Sequence, residues 1–313
     1  MRDSANALDT GGVLLRDLID YAGLFPPASL AMAPSVANYD SYSRSEWNWV
    51  LGHFVVPVAR LDEFEEALAG LPAPAPGANF AHWRLSVLPG SDPVADVARI
   101  REFNARMASA SSGRPSPRRS AIIESIEVKA ASAEEVKRIS GFIPAEFAAY
   151  FETPLTSCAE CIPALAQCGR RAKIRTGGET ADNFPACESV IEFMSLCAAA
   201  DVPFKATAGL HHPVRSVHRF TYQPESASGI MHGFVNLFLA AAFLRAGLDS
   251  ALALQLLEEQ SPQAFHLDSD GAAWRHHRLS QREIAAARQD FAVSFGSCSF
   301  TEPIDDLRTL QLL

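Results

Sequence analysis

The chain has 313 residues, 48% of them apolar, and a formal net charge of −9. That is enough apolar mass for one large domain with a substantial core. The acidic balance excludes a general affinity for nucleic acid or anionic lipid, both of which reward a basic surface.

Residues 1–12 are polar and carry Asp3 and Asp9 where a signal peptide would have a basic flank and an apolar run, so export is not expected. Beyond them the chain repeats one order: a short β-rich run, a Gly, Pro or polar turn, then an amphipathic stretch. Strands are expected at 18–25, 50–57, 83–88, 122–129, 148–152, 172–176 and 203–208. Start signals support the helices between them: Leu61-Asp62-Glu63-Phe64, Ser91-Asp92-Pro93 and Ser132-Ala133-Glu134-Glu135 place caps and acids in first turns. Residues 71–79 and 108–120 read as loops at the end opposite an active site, the second with a solvated basic run around Arg118.

Seven such units and an eighth beyond Gly209 predict an α/β fold, a single-domain (β/α)8 TIM barrel over 1–313, with an open doubly wound sheet as runner-up. Either 233–238 or 264–267 supplies the eighth strand, the second being preferred. Asp270-Gly271 marks a hairpin that decorates the barrel, and 291–300 is expected to pack over one end. The most apolar stretch, 234–257, is broken by Arg245, Gly247 and Asp249 and reads as a buried helix pair, not a membrane span. The six cysteines are too sparse for a disulfide scaffold and are expected as reduced thiols of a cytoplasmic protein. Cys158-x-x-Cys161 has no second pair, and Cys168 falls at helical spacing, so core packing is expected there.

Charges gather near the ends of the predicted strands. Glu127 and Lys129 share one side of strand four, Lys173 and Arg175 repeat that spacing on strand six, Glu152 ends strand five and Lys205 lies on strand seven. A lysine in a buried strand must find a partner or lose its proton, and two in consecutive units suggest an active site. Four cations against Glu127 and Glu152 leave a positive surplus that would draw an anionic ligand. Thr176, Gly177, Gly178 and Gly209 follow the lysines and let backbone N–H groups approach a phosphate or carboxylate. A plain ring of salt bridges is the structural alternative.

Lys173-x-x-Thr176-Gly177 followed by Phe204-Lys205-x-x-x-Gly209 resembles the class I aldolases of the deoxyribose-phosphate aldolase type. The resemblance implies that Lys173 forms a Schiff base, that Lys205 depresses its pKa, that Glu127 stands for the family's strand-four aspartate, and that Phe151-Glu152-Thr153 ends strand five. Arg175, Ala208, His211 and His212 depart from the family's pattern. The expected function is a lyase that makes or breaks a C–C bond in a small phosphorylated or carboxylated carbonyl compound. Lys173, Lys205, Glu127 and Glu152 would be catalytic; Lys129, Arg175, Thr176, Gly177, Gly178, Gly209, His211 and His212 would bind substrate. No cofactor or metal is expected, and the expected partner is a small anionic metabolite, with neither nucleic acid nor membrane; homo-oligomerisation is left open.

Two other classes compete. His211, His212 and His232 with Glu127, Glu152 or Glu302 would make a metal-dependent hydrolase or isomerase. A barrel that binds a metabolite without turnover is the third. Asp20, before Tyr21-Ala22-Gly23-Leu24-Phe25-Pro26-Pro27, is expected near a wall of the mouth, Cys298 is a weak nucleophile candidate, and His232 and Asn236 read as helix-capping or core polar groups.

Overall fold

The computed structural model describes residues 12–72, 82–111 and 119–313. After a short α1 (Gly12–Leu15) come β1 (Ile19–Tyr21) and α2 (Met32–Tyr42), β2 (Leu51–Pro57) and α3 (Leu61–Gly70), then β3 (Trp83–Leu88) and α4 (Pro93–Ser111). There follow β4 (Ala121–Lys129) and α5 (Ala133–Ser140), β5 (Ala148–Glu152) and α6 (Cys158–Gln167), β6 (Arg171–Arg175) and α7 (Cys187–Ala199), and β7 (Phe204–Thr207). A longer excursion holds the hairpin β8 (Ser216–Arg219) and β9 (Ser228–Met231), α8 (Phe234–Arg245), α9 (Ser250–Glu258), a sheet of β10 (Phe265–Asp268), β11 (Gly271–Trp274) and β12 (His277–Ser280), and α10 (Gln281–Asp290). The chain ends with β13 (Ala292–Ser297) and α11 (Thr301–Thr309).

Eight parallel strands close in the order β1-β13-β7-β6-β5-β4-β3-β2, so the fold is a (β/α)8 barrel and the open sheet is excluded. The eighth strand is β13, against expectation. Of the preferred 264–267, residues 265–267 instead pair antiparallel with β11, residues 234–238 open the apolar helix α8, and 291–300 carries the closing strand. Ser294, Gly296 and Ser297 in β13 dilute the apolar pattern that would have marked it. The expected decoration is present as the β10–β12 sheet. Strand one stops at Tyr21, short of its expected end.

Local chemistry sets the helix starts. Ser132 Oγ accepts from the Glu135 N–H (3.3 Å), Asp92 Oδ1 accepts from those of Val94 and Ala95 (3.1 Å each), and Ser280 and Glu283 form a reciprocal capping box on α10. Helix α8 has ten buried residues of twelve and lays Phe234 and Phe238 against Phe295 of β13. With α9 it forms the helix pair expected over 234–257, and among the described residues no helix is long and apolar enough to cross a membrane. All six cysteines are free.

The expected loops at 71–79 and 108–120 fall largely outside the described residues, although α4 extends to Ser111. Arg118 lies outside them as well. Its neighbour Arg119 is not solvated: the guanidinium is buried against both carboxylate oxygens of Asp40 (2.6 and 2.9 Å).

Alternation along the strands sends Trp83, Leu85 and Val87 of β3 to the apolar core, while Ser86 and Leu88 face the barrel axis. Barrel interiors are ordinarily filled by layers of branched apolar residues. Here polar side chains occupy the axis instead, and that column positions the site.

Candidate active site

Every barrel strand contributes a polar group to one connected network. Lys173 on β6 and Lys205 on β7 are register partners, side by side across the parallel ladder. Two ammonium groups so placed would repel, and Glu127 of β4 sits between them. Its Oε2 lies 2.8 Å from Lys173 Nζ and its Oε1 2.7 Å from Lys205 Nζ, while Ser86 of β3 donates to the same Oε1 at 2.6 Å. Ser125 donates to Ser86 at 2.7 Å. Lys173 has a second carboxylate in Glu152 of β5 at 3.0 Å, and Glu152 also accepts from Arg175 Nε at 2.9 Å.

Below this layer Asp20 of β1, fully buried, lies 2.6 Å from Lys205 Nζ and accepts from Ser294 of β13 at 2.7 Å. The second oxygen of Asp20 meets the His53 backbone N–H at 2.6 Å and His53 Nδ1 at 2.9 Å. A side chain at Gly52 would place its Cβ 2.3 Å from that oxygen, so only glycine lets the carboxylate reach β2. The Tyr150 ring of β5 lies 4.9 Å from Lys205 Nζ, a cation–π contact.

Burial alone pushes each charged form toward neutrality, and the ion pairs outweigh it. Burial works to lower Lys205, yet Asp20 and Glu127 leave it raised; burial likewise lowers Lys173, yet Glu127 and Glu152 leave it raised. Asp20 and Glu127 are raised by burial and pulled well below the usual carboxylate range by the lysines, and Glu152 ends lowered by Lys173 and Arg175. The resting site is therefore fully ionised. This corrects the expectation that Lys205 depresses Lys173: with Glu127 between them, the two cations stabilise one another's counter-ion.

The charge ledger is corrected too. Asp20, Glu127 and Glu152 balance Lys173, Lys205 and Arg175, three against three, so no positive surplus remains in the network.

A cavity of about 470 Å³ opens at the C-terminal end of the strands. Glu127 and Lys173 form its floor, Phe25, Pro26, Pro27, Val55 and Leu88 an apolar wall, and Arg175, Thr180, Asn183 and His211 a polar one. Lys173 is 5% exposed and reaches this space; Lys205, at 2%, lies beneath it. No family model matches the chain, and neither do any curated protein or solved structure.

The expected binding residues divide. Arg175, Gly178, Gly209 and His211 line the cavity. Lys129 does not: it is exposed in a neighbouring hollow with Glu152, Arg175 and Asn183. Thr176 is buried, its hydroxyl donating to the carbonyl of Ala208 at 2.7 Å, so it clasps β6 to β7 instead of facing a ligand. Gly177 and Gly209 are needed for packing, since a Cβ on either would stand 2.7 Å from the other's Cα, and Gly209 also has φ +72°.

The histidines separate into distinct arrangements. His211 Nδ1 meets Glu302 at 3.1 Å at the cavity edge, where Tyr222 donates to the same carboxylate (2.9 Å) and lies 3.6 Å from Cys298 Sγ. His212 lies outside the cavity, 2.5 Å from Asp306 and stacked on His218 with centroids 3.3 Å apart. His232 is buried 2.8 Å from the Pro185 carbonyl, with its pKa pulled down to about 4 by burial. They do not converge as a metal-dependent reaction would require, and among the described residues no group of three or more His, Cys, Asp or Glu is placed to hold a metal. Cys298 lines the cavity, but burial raises its thiol pKa, which opposes a nucleophilic role. Asn236 bonds the Leu256 and Glu259 carbonyls at 2.9 and 2.8 Å and is a core polar group, as expected.

Proposed function

We propose that the protein is a lyase of the Schiff-base aldolase kind, acting on a small carbonyl compound that carries a phosphate or carboxylate. One observation carries the reading: a buried carboxylate, Glu127, bridges a lysine at the cavity floor and a second, more deeply buried lysine beside it. A structural ion network needs no reactive end in a cavity of metabolite size, and this one has Lys173 there.

In the proposed reaction Lys173 gives a proton to its carboxylates and attacks the substrate carbonyl. Loss of water from the carbinolamine leaves an iminium, whose charge draws the electrons of the adjacent C–C bond into an enamine as the second carbonyl fragment departs. The hydroxyl proton of that fragment passes to the network, a proton returns to the enamine carbon, and hydrolysis frees Lys173. Glu127 is the shuttle, touching both Lys173 and the cavity. The exposed guanidinium of Arg175, held at its Nε by Glu152, is placed at the rim to take the substrate's anionic group.

The test is reductive trapping. Glycolaldehyde, pyruvate and dihydroxyacetone phosphate, each with borohydride, should between them yield an adduct whose mass maps to Lys173, and Lys173→Met should abolish it. Turnover of a substrate by Lys173→Met at near-normal rate would exclude the mechanism. Substrate bound without adduct or turnover would assign the barrel to metabolite binding.

A further inference from the structure

Two acids one turn apart on α11 hold two consecutive histidines. Glu302 Oε2 lies 3.1 Å from His211 Nδ1, and Asp306 Oδ2 lies 2.5 Å from His212 Nδ1. An ionised carboxylate only accepts, so each Nδ1 carries the proton and each neutral ring keeps its lone pair on Nε2. The second pair fastens the loop after β7 to α11 outside the cavity, with the His212 ring stacked on His218. The first pair reaches further. His211 lines the cavity, and its Nε2 has no partner among the described residues. Glu302 is itself held in place: its N–H bonds Ser299 Oγ at 3.2 Å, and the Tyr222 hydroxyl donates to the same Oε2 at 2.9 Å.

We infer that His211 is a catalytic acid–base of the site, exchanging a proton between its Nε2 and the carbon next to the Lys173 iminium; this rests on the Schiff-base reading. That reading returns a proton to the enamine carbon and leaves its source open. The titratable groups lining the cavity are Glu127, Lys173, Arg175, Glu179, His211 and Cys298. Both oxygens of Glu127 are engaged by the lysines, Glu179 is exposed, and burial opposes ionisation of Cys298. Histidine is the side chain that both gives and takes a proton near neutrality, and a carboxylate on Nδ1 fixes which nitrogen does so.

The step balances in both directions. In cleavage the enamine double-bond electrons form a C–H bond with the proton of His211 Nε2, the nitrogen lone pair of Lys173 closes the iminium, and the N–H electrons stay on Nε2. The ring ends neutral with its Nδ1–H still on Glu302, which had carried the countercharge of the imidazolium. In the reverse direction the neutral Nε2 takes a proton from the carbon beside the iminium, the C–H electrons become the enamine double bond, and the C=N electrons return to nitrogen. A second hollow of about 280 Å³, lined by His211, Tyr222 and Glu302 among others, adjoins the cavity and lets the ring exchange its proton with solvent.

The experiment is hydrogen–deuterium exchange. Glycolaldehyde, pyruvate and dihydroxyacetone phosphate are each incubated with the protein in D2O while proton NMR follows the hydrogens beside the carbonyl, and parallel samples are trapped with borohydride. With a probe that labels Lys173, wild type should exchange those hydrogens. His211→Gln should exchange them about hundredfold more slowly yet form adduct to the same extent. His212→Gln loses the same kind of bond to α11 and should exchange as wild type does. Free imidazole should restore exchange in His211→Ala. Wild-type exchange in His211→Gln would overturn the inference, and so would adduct without exchange in wild type. Equal slowing in His212→Gln, or slowing without imidazole rescue, would overturn it too, because either marks a fastening of the loop. If wild type forms no adduct, the Schiff-base reading itself fails and this inference falls with it. One further measurement needs no variant: the His211 ring resonances should shift when the reduced adduct forms on Lys173, and an unmoved ring would lie too far from the carbon to serve it.

Discussion

Replacing Glu127 with glutamine keeps the shape of the side chain and removes one charge from the centre of the column. The carboxylate is buried and bonded to Lys173, Lys205 and Ser86 at 2.6–2.8 Å. In Glu127→Gln, Lys173 keeps Glu152 at 3.0 Å and Lys205 keeps Asp20 at 2.6 Å, but an amide N–H would point at an ammonium group and the two cations would face one another unscreened. Breaking a buried ion group by removing one partner costs about 3–5 kcal/mol. With an unfolding entropy of about 2.1 cal/mol/K per residue, a 313-residue chain should lose roughly 5–8 °C in thermal midpoint. Calorimetry at pH 7 reads this directly. Reactivity should move the other way: a neighbouring carboxylate raises a lysine's pKa, so its loss should speed reductive methylation of Lys173. In Glu127→Gln/Lys205→Met one orphaned cation is gone, and the double variant should fall short of the summed single losses by about 0.5–3 kcal/mol. A Glu127→Gln midpoint within about 1 °C of wild type would refute the bridge.

Acid should destabilise the barrel in a defined window. Asp20, Glu127 and Glu152 have folded pKa values below their unfolded ones, so their contribution is complete above the unfolded values near 4 and is lost as pH falls through and below that range. Urea midpoints unchanged between pH 5 and pH 3 would contradict the ion pairing. Thr176→Val removes the hydroxyl bonded to the Ala208 carbonyl and should cost about 1–2 kcal/mol while leaving the Lys173 adduct intact. Loss of the adduct in a folded Thr176→Val protein would show that this hydroxyl serves the ligand after all.

The barrel was legible because seven strands kept their β-rich runs and their polar turns, and because Ser132 and Asp92 stood where caps belong. Strand eight was hidden: its inward positions are the polar Ser294, which bonds Asp20, and Gly296, which lines the cavity, so the alternation that marks a half-buried strand is weak. The lysine pair and Glu127 could be read from charges inside apolar runs. Asp20 was undervalued, since it precedes Tyr21-Ala22-Gly23 at a strand end where an acid looks like turn chemistry. His53 stands alone in Gly52-His53-Phe54-Val55-Val56, and only the Asp20 carboxylate reaching across at Gly52 gives it a role. Spacing within one strand could place Lys173 and Arg175 on one side, but it could not show that a carboxylate from β4 would lie between β6 and β7.

Stability alone does not account for such a column. Buried ion groups often contribute no more than well-packed apolar residues of similar volume, whereas breaking one is costly. A matched replacement therefore separates the two purposes. Asp20→Asn and Lys205→Met together remove one acid and one base that lie 2.6 Å apart, leaving Glu127, Lys173, Glu152 and Arg175 balanced. Each single change should cost about 3–5 kcal/mol, and the pair together about 2 kcal/mol or less. The same double variant removes the second cation held by Glu127, so that carboxylate holds the Lys173 proton more tightly and adduct formation at Lys173 should slow even where the thermal midpoint is nearly recovered. A double variant that regained both stability and labelling rate would mean that the lower half of the column is only a neutralised core. Recovered stability with slow labelling would mean that the interior keeps its charges for the sake of the reactive lysine.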